Sequence, residues 1–194
     1  MSTPAEHATV GLTAPAAALP APRRAALERA AALFRAVPDF PAPGVVFQDV
    51  TPVLADAAAL RAVVEEMIAP YAGRFDAVAG LDARGSLLAG FAAALTDTGV
   101  LPLRKAGKLP VTAGQVAYEL EYGSAALEAA PELAVPGLRV LVLDDVLATG
   151  GTLAAAHELI AACGAEVAGS AVVLEVAGLD GRARVPETLA LFTA

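Results

Sequence analysis

The chain has 194 residues, 57% of them hydrophobic, with 21 acidic against 13 basic residues and a formal charge of −8. That length allows one domain whose core stands without disulfides or a structural metal, and the acidic balance argues against nonspecific nucleic-acid binding while leaving anionic small molecules open. The single cysteine, Cys163, excludes a disulfide framework and suits a reducing cytoplasm, and apolar runs break before the ~18 residues of a membrane span, so no membrane partner is expected.

Residues 1–22 hold Pro4, Pro15, Pro20 and Pro22 among small residues and read as a flexible N-terminal arm without a signal-peptide pattern. A helix is predicted over residues 23–37, with Leu27, Ala30, Ala31 and Phe34 on one stripe and Pro38 closing it. In the next stretch Pro41, Pro43, Gly44 and Pro52 interrupt large apolar residues and set a rigid, irregular path suited to walling a pocket or plugging a core edge. An amphipathic helix over 57–72 precedes a buried strand over 76–81, which ends at Asp82-Ala83-Arg84-Gly85 and runs into a helix over 86–97. A strand over 100–103 contains Pro102, a sign of an edge or a bulge. Residues 104–123 are charged and irregular, as in a functional loop or a short hairpin over a site, and a small helix over 124–130 leads to Pro131. A strand over 139–143, a loop over 144–151, a helix over 152–163 and a strand over 166–175 then form a crossover unit, and a last short strand covers 188–192. The order strand, helix, strand occurs twice. It predicts an α/β fold with a mostly parallel central sheet flanked by helices, residues 23–194 forming a single domain.

In such sheets ligands bind at the carboxyl ends of the strands, where this chain places Asp144-Asp145 and Asp82-Ala83-Arg84. Adjacent glycines in Ala148-Thr149-Gly150-Gly151-Thr152 let backbone N–H groups converge, and the helix that follows offers orphan amides to an anion. Alone, that loop also fits an ordinary helix start. Two adjacent carboxylates leaving an apolar strand need engagement, and together with the cradle they fit a ribose 5-phosphate, the carboxylates accepting from the 2′ and 3′ hydroxyls. The phosphate-binding pattern Gly-x-x-x-x-Gly-Lys-Ser/Thr and the dinucleotide pattern Gly-x-Gly-x-x-Gly are both absent from the chain.

The stretch Val140-Leu141-Val142-Leu143-Asp144-Asp145-Val146-Leu147-Ala148-Thr149-Gly150-Gly151-Thr152 resembles the phosphoribosyl diphosphate signature of the type I phosphoribosyltransferases. Four more stretches resemble their adenine-specific branch: Pro38 through Phe47, Gly80-Leu81-Asp82-Ala83-Arg84-Gly85, Arg104-Lys105-Ala106-Gly107-Lys108-Leu109-Pro110, and Leu120-Glu121-Tyr122-Gly123. The likeness runs from about residue 25 to 180. It implies the type I phosphoribosyltransferase fold, with a small hood around residues 38–50 and a flexible loop over the active site. The implied reaction is phosphoribosyl transfer from 5-phosphoribosyl 1-diphosphate to adenine, giving AMP and diphosphate in purine salvage. Transfer to a 6-oxopurine such as hypoxanthine or xanthine, or a non-catalytic ligand sensor on the same fold, are the alternatives.

By the same resemblance Asp144 and Asp145 bind the ribose hydroxyls, and Ala148, Thr149, Gly150, Gly151 and Thr152 the 5′-phosphate. Asp82, Ala83 and Arg84 hold the diphosphate, often through a non-proline cis peptide in this family, with Arg104 and Lys108 assisting. Phe40, Val46 and Gln48 meet the base; Tyr118, Glu121 and Tyr122 belong to the closing loop; Glu121 and Arg84 serve catalysis. Mg²⁺ is expected to ride mainly on the substrate, and the enzyme to be a cytoplasmic homodimer. Gln48 stands where relatives often carry arginine: a carbonyl contact to the base would leave its choice unchanged, a side-chain contact would not. Ser86 replaces a common aromatic. His157 reads as a satisfied surface or interface group, Cys163 as a buried inert thiol, and Glu65, Glu66 and Glu128 as solvated helix faces, while Glu175 could face the site.

Overall fold

The computed structural model describes residues 10–40, 42–120 and 123–194. In chain order the strands are β1 (Gly11–Leu12), β2 (Arg35–Pro38), β3 (Val46–Asp49), β4 (Ala77–Leu81), β5 (Gly99–Lys105), β6 (Gly114–Leu120), β7 (Gly123–Ala129), β8 (Arg139–Leu147), β9 (Glu166–Glu175) and β10 (Leu189–Thr193). The helices are α1 (Ala14–Ala17), α2 (Ala21–Ala31), α3 (Thr51–Ala55), α4 (Ala57–Ile68), α5 (Arg84–Thr96) and α6 (Gly151–Ala162).

The main sheet has the order β1-β10-β9-β8-β4-β5-β7-β6. Its five central strands, β10 to β5, run parallel, while β1 at one end and β7 and β6 at the other join antiparallel. Central strands covered on both faces must be apolar throughout, and alternation deals their side chains to two cores. Val78, Leu141, Leu143 and Val173 pack with Val63, Val64 and Met67 of α4 and with Leu88 of α5. Ala79, Leu81, Val140, Val142 and Val172 pack with Leu153, Leu159 and Ile160 of α6. The mostly parallel, helix-flanked sheet is the fold expected. No helix among the described residues is long and apolar enough to cross a membrane.

Several local expectations give way to tertiary pairing. The helix expected over 23–37 stops at Ala31, and β2 pairs antiparallel with β3 to form the hood hairpin, Pro38 sitting at its end opposite Val46. Pro38 lacks a donor and tolerates that terminal position. The region expected to be a helix over 124–130 is β7, paired on both sides; its Ala-rich sequence suits a helix, but partners on two edges override propensity. Of the stretch over 104–123, residues 104–105 end β5, 106–113 connect it to β6, and β6 pairs antiparallel with β7 as the hairpin expected there. β8 continues to Leu147, so Asp144 and Asp145 lie within a strand paired to β9, not in a loop after it. Of the segment read as a flexible arm, residues 10–22 are docked: β1 pairs with β10, and the buried Thr13 hydroxyl donates 2.7 Å to Ala190 O. Pro102 faces no loss, because the pairing of β5 with β7 begins only at Leu103.

Candidate functional site

β4 and β8 are neighbours, yet the chain leaves them in opposite directions, through α5 to β5 and through α6 to β9. A crevice opens where the strand order reverses in this way. The close approach of the two strand ends depends on glycine. A Cβ on Gly80 would lie 2.6 Å from Gly85 O, and one on Gly85 would lie 2.7 Å from Leu143 O and 2.8 Å from Asp144 Oδ1. Gly150 takes φ +77°, and its Cβ position is 2.6 Å from Gly181 O, so the turn at 181 buttresses the loop after β8. The Asp82–Ala83 peptide is cis, as the resemblance implied.

A cavity of about 400 Å³ at this point is lined by Asp82, Ala83, Arg84, Lys105, Tyr118, Asp144, Asp145 and Thr152. Beside it, Ala148, Thr149, Gly150, Gly151 and Thr152 enclose a smaller recess of about 70 Å³. The helices that begin here, α5 and α6, have no side-chain cap on their first-turn amides. α4 is different: Asp56 accepts 2.8 Å from Ala59 N at its start. The amides at both site helices are thus open to an anion, at the positive ends of the helix dipoles.

Charge in the cavity is arranged in pairs. Arg84 Nε lies 2.5 Å from Asp145 Oδ2, but not in hydrogen-bond alignment, so that buried oxygen has no hydrogen-bond partner among the described residues. The Arg84 guanidinium also stands 5.6 Å from the centre of the Phe47 ring, a cation–π contact, and Phe47 meets Phe40 edge-on at 5.3 Å. Arg104 Nε donates 3.1 Å to Asp82 Oδ2. Asp144 Oδ1 accepts from Asp145 N at 2.9 Å. Burial first, and the adjacent Asp145 carboxylate second, hold the Asp144 carboxyl well above the usual range.

The structure therefore brings together Asp82, Ala83, Arg84, Asp144, Asp145, the loop from Ala148 to Thr152, and Tyr118. Phe40, 52% exposed, meets the group through the Phe47 ring. Val46 is half-buried, and Gln48 is buried and lines a separate cleft of about 650 Å³ with Leu12, Phe34 and Ala36. Alternation along β3 places Phe47 on the opposite face, toward Arg84. Lys108 is exposed and outside the cavity lining, and Arg104 acts on the cavity through Asp82. Glu121 and Tyr122 lie outside the described residues.

Lys105 was not singled out from sequence; its signal was the continuation of the strand beyond 103, which carries it to the cavity wall. Glu128 is no solvated helix face but a buried strand residue, and Glu66 is 8% exposed and bound by Arg23 on two oxygens, whereas Glu65 is exposed. Glu175 is engaged by Arg182 Nε at 2.8 Å. His157 Nε2 is buried without a hydrogen-bond partner among the described residues, and burial lowers its basicity. Cys163, expected to be buried, is only partly so, and that burial pushes its thiol up.

Comparison with known proteins identifies the family. Residues 49–189 match the family described as phosphoribosyl transferase domain. An adenine phosphoribosyltransferase of Renibacterium salmoninarum is 56% identical over 161 residues, covering 83% of this chain and 88% of its own. The crystal structure of the adenine phosphoribosyltransferase from Rhodothermus marinus is 40% identical, with a TM-score of 0.82 over 88% of this chain and 99% of its own. That of the Giardia lamblia enzyme complexed with 9-deazaadenine is 35% identical, with a TM-score of 0.81 over 87% of this chain and 97% of its own.

Proposed function

The chain belongs to the adenine phosphoribosyltransferases, and from that premise we propose that the cavity between β4 and β8 is where its two substrates react. The reaction is transfer of the 5-phosphoribosyl group from 5-phosphoribosyl 1-diphosphate to adenine, giving AMP and diphosphate in purine salvage. The observation that carries the placement is the single cavity shared by Asp144, Asp145 and Thr152 from one side and Asp82, Ala83, Arg84 and Lys105 from the other.

On this reading Asp144 and Asp145 accept from the ribose 2′ and 3′ hydroxyls, one of which satisfies the buried Asp145 Oδ2. Amides of Thr149 to Thr152 at the start of α6 hold the 5′-phosphate, with the Thr149 and Thr152 hydroxyls. The uncapped start of α5, Arg84 and Lys105 face the diphosphate, with Arg104 keeping Asp82 in place. Phe47, seated over Arg84, offers its ring to adenine, while Phe40 supports Phe47 and the backbone of Val46 and Gln48 reads the base edge. When the bond from ribose C1 to the diphosphate oxygen breaks, its electron pair leaves with diphosphate. Positive charge grows on the sugar, and a ring nitrogen of adenine closes on C1 and gives up its proton. Arg84 and the α5 amides stabilise the leaving charge where it develops. Glu121 holds the base in register and assists its proton, and Tyr118, Glu121 and Tyr122 close the site against water.

Asp144 and Asp145 present hard oxygen donors to the cavity, and no group of three His, Cys, Asp or Glu among the described residues is placed to hold a metal ion. Asp144 and Asp145 would face a Mg²⁺ carried on the substrate, and the ion would neutralise charge on the leaving diphosphate. A homodimer in the cytoplasm completes the proposal, in keeping with family resemblance and the single cysteine; light scattering on the purified chain tests the dimer.

The experiment that tests the site is turnover of labelled adenine and phosphoribosyl diphosphate with Mg²⁺, against hypoxanthine and xanthine, in wild type and Glu121→Gln. The variant should lose turnover by roughly 100-fold, within the range of acid–base assistance, while diphosphate-sugar binding stays nearly intact. Undiminished turnover in the variant would sink the role given to Glu121.

A further inference from the structure

β7 carries a carboxylate where its neighbours are Ala and Leu. Glu128 is 3% exposed and stands opposite Arg104 of β5 and Gln115 of β6. Its two oxygens collect three consecutive backbone donors from the connection between β5 and β6. Gly107 N donates 3.0 Å to Oε2, and Lys108 N and Leu109 N each donate 2.6 Å to Oε1. Burial works against the charge, but these amides, with Arg104 nearby, hold the carboxyl below the usual range. At the ends of the same connection Ala106 N donates to Ala126 O and Ala113 N to Ala129 O.

An exposed turn does not need a buried carboxylate, since water satisfies its amides without desolvating a charge. The expense is understandable only if the path of the turn matters. What that path places is cationic. Arg104, bound to Asp82, and Lys105, on the cavity wall, lie just before the clamped amides, and Lys108 is one of the clamped residues.

We infer that Glu128 is a positioning residue for diphosphate binding: by clamping the amides of residues 107–109 it sets where the cations from Arg104 to Lys108 stand relative to the Asp82–Arg84 turn. The inference rests on the reading that the diphosphate lies against that turn. It assigns Glu128 no contact with substrate, so the effect should fall on one substrate's affinity and spare the chemistry.

The test uses the full chain with two perturbations of the clamp. Glu128→Gln keeps the shape but turns one acceptor into a donor facing N–H groups. Gly107→Ala disturbs the turn from its exposed side, where φ is +80° and nothing lies within 4 Å of the new methyl. Both should raise the KM for phosphoribosyl diphosphate roughly tenfold and leave kcat and the adenine KM within about twofold, a split that general loss of structure does not produce. Tryptic cleavage after Lys105 and Lys108 in the free enzyme should accelerate. Faster cleavage with an unchanged phosphoribosyl diphosphate KM makes Glu128 a turn anchor without a part in binding and overturns the inference. Unchanged cleavage and KM together remove the clamp itself. Lys105→Ala and Lys108→Ala, assayed in parallel, separate the premise: if neither weakens phosphoribosyl diphosphate, the diphosphate lies elsewhere and the inference falls with it. Should Glu128→Gln not fold, the Gly107→Ala kinetics decide alone.

Discussion

Gly85→Ala probes how closely the two halves of the site must approach. Its methyl would lie 2.7 Å from Leu143 O, 2.8 Å from Asp144 Oδ1 and 3.1 Å from Asp144 Cα, about 0.7 Å inside ordinary contact at the nearest atom. Leu143 O is backbone in a central strand paired on both sides, so it cannot swing away as a side-chain end would. The start of α5 and β8 must separate instead. Overpacking of this kind costs about 1–3 kcal/mol, which for a chain of this size lowers Tm by roughly 2–12 °C. The same displacement draws Arg84 away from Asp144 and Asp145, and misplacement approaching 1 Å costs up to about 100-fold, so kcat/KM should fall by roughly 10- to 100-fold. Gly90→Ala, on the same helix but exposed with nothing within 4 Å, is the control. It should stabilise by about 0.5–1 kcal/mol and leave the kinetics alone. Thermal melts and steady-state kinetics on the two variants give the answer. A Gly85→Ala enzyme with wild-type Tm and kcat/KM would refute the close-approach reasoning, as would equal effects at both positions.

Asp145→Asn exchanges a buried acceptor for a donor, and calorimetry should find phosphoribosyl diphosphate binding weaker by roughly 10- to 100-fold, the worth of a hydrogen bond to a charged group; an unchanged Kd would remove the diol assignment. Asp76 is held at about pKa 2 by two hydrogen bonds from the Arg139 guanidinium and one from its backbone N–H. Its pKa is depressed from 3.8, so its contribution to stability is complete above that value and disappears as pH falls toward 2. In urea melts across that window Asp76→Asn should lack this loss, and parallel curves for the two proteins would contradict it. Arg23→Ala strips the partner from Glu66, which is 8% exposed, but Arg23 itself is 47% exposed, so a cost of about 1–2 kcal/mol is expected after allowing for solvent. A change below about 0.5 kcal/mol in the same melts would mean the Glu66 carboxylate finds water instead.

The parts of the fold that were legible from sequence are those whose neighbours in the chain suffice to define them. The runs around Val78 and Leu141 are apolar on both faces, and Leu153, Ala156 and Ile160 repeat at helical spacing, so strands and helices of the central crossovers announce themselves without reference to anything distant. The same holds for the glycine loop at Gly150, whose φ of +77° is a local demand, and for the carboxylates of Asp144 and Asp145. Chain-local chemistry was enough to propose a sugar-phosphate cradle.

What tertiary structure decided are the places where a segment's partner lies far along the chain. Residues 124–129 have helix-forming composition and become a strand because β5 and β6 offer edges on both sides. Residues 35–37 leave the predicted helix because, with Pro38, they pair with the strand of residues 46–49. Glu66 and Glu128 look like solvent-facing charges until Arg23, 43 positions away, and the amides of 107–109 are brought against them. Gln48 and Phe47 are adjacent in sequence, yet the hairpin turns one to the Leu12 side and the other to Arg84. A propensity or a charge pattern is a property of a few residues, whereas burial and pairing belong to the assembled sheet, and the free energy of the second exceeds that of the first.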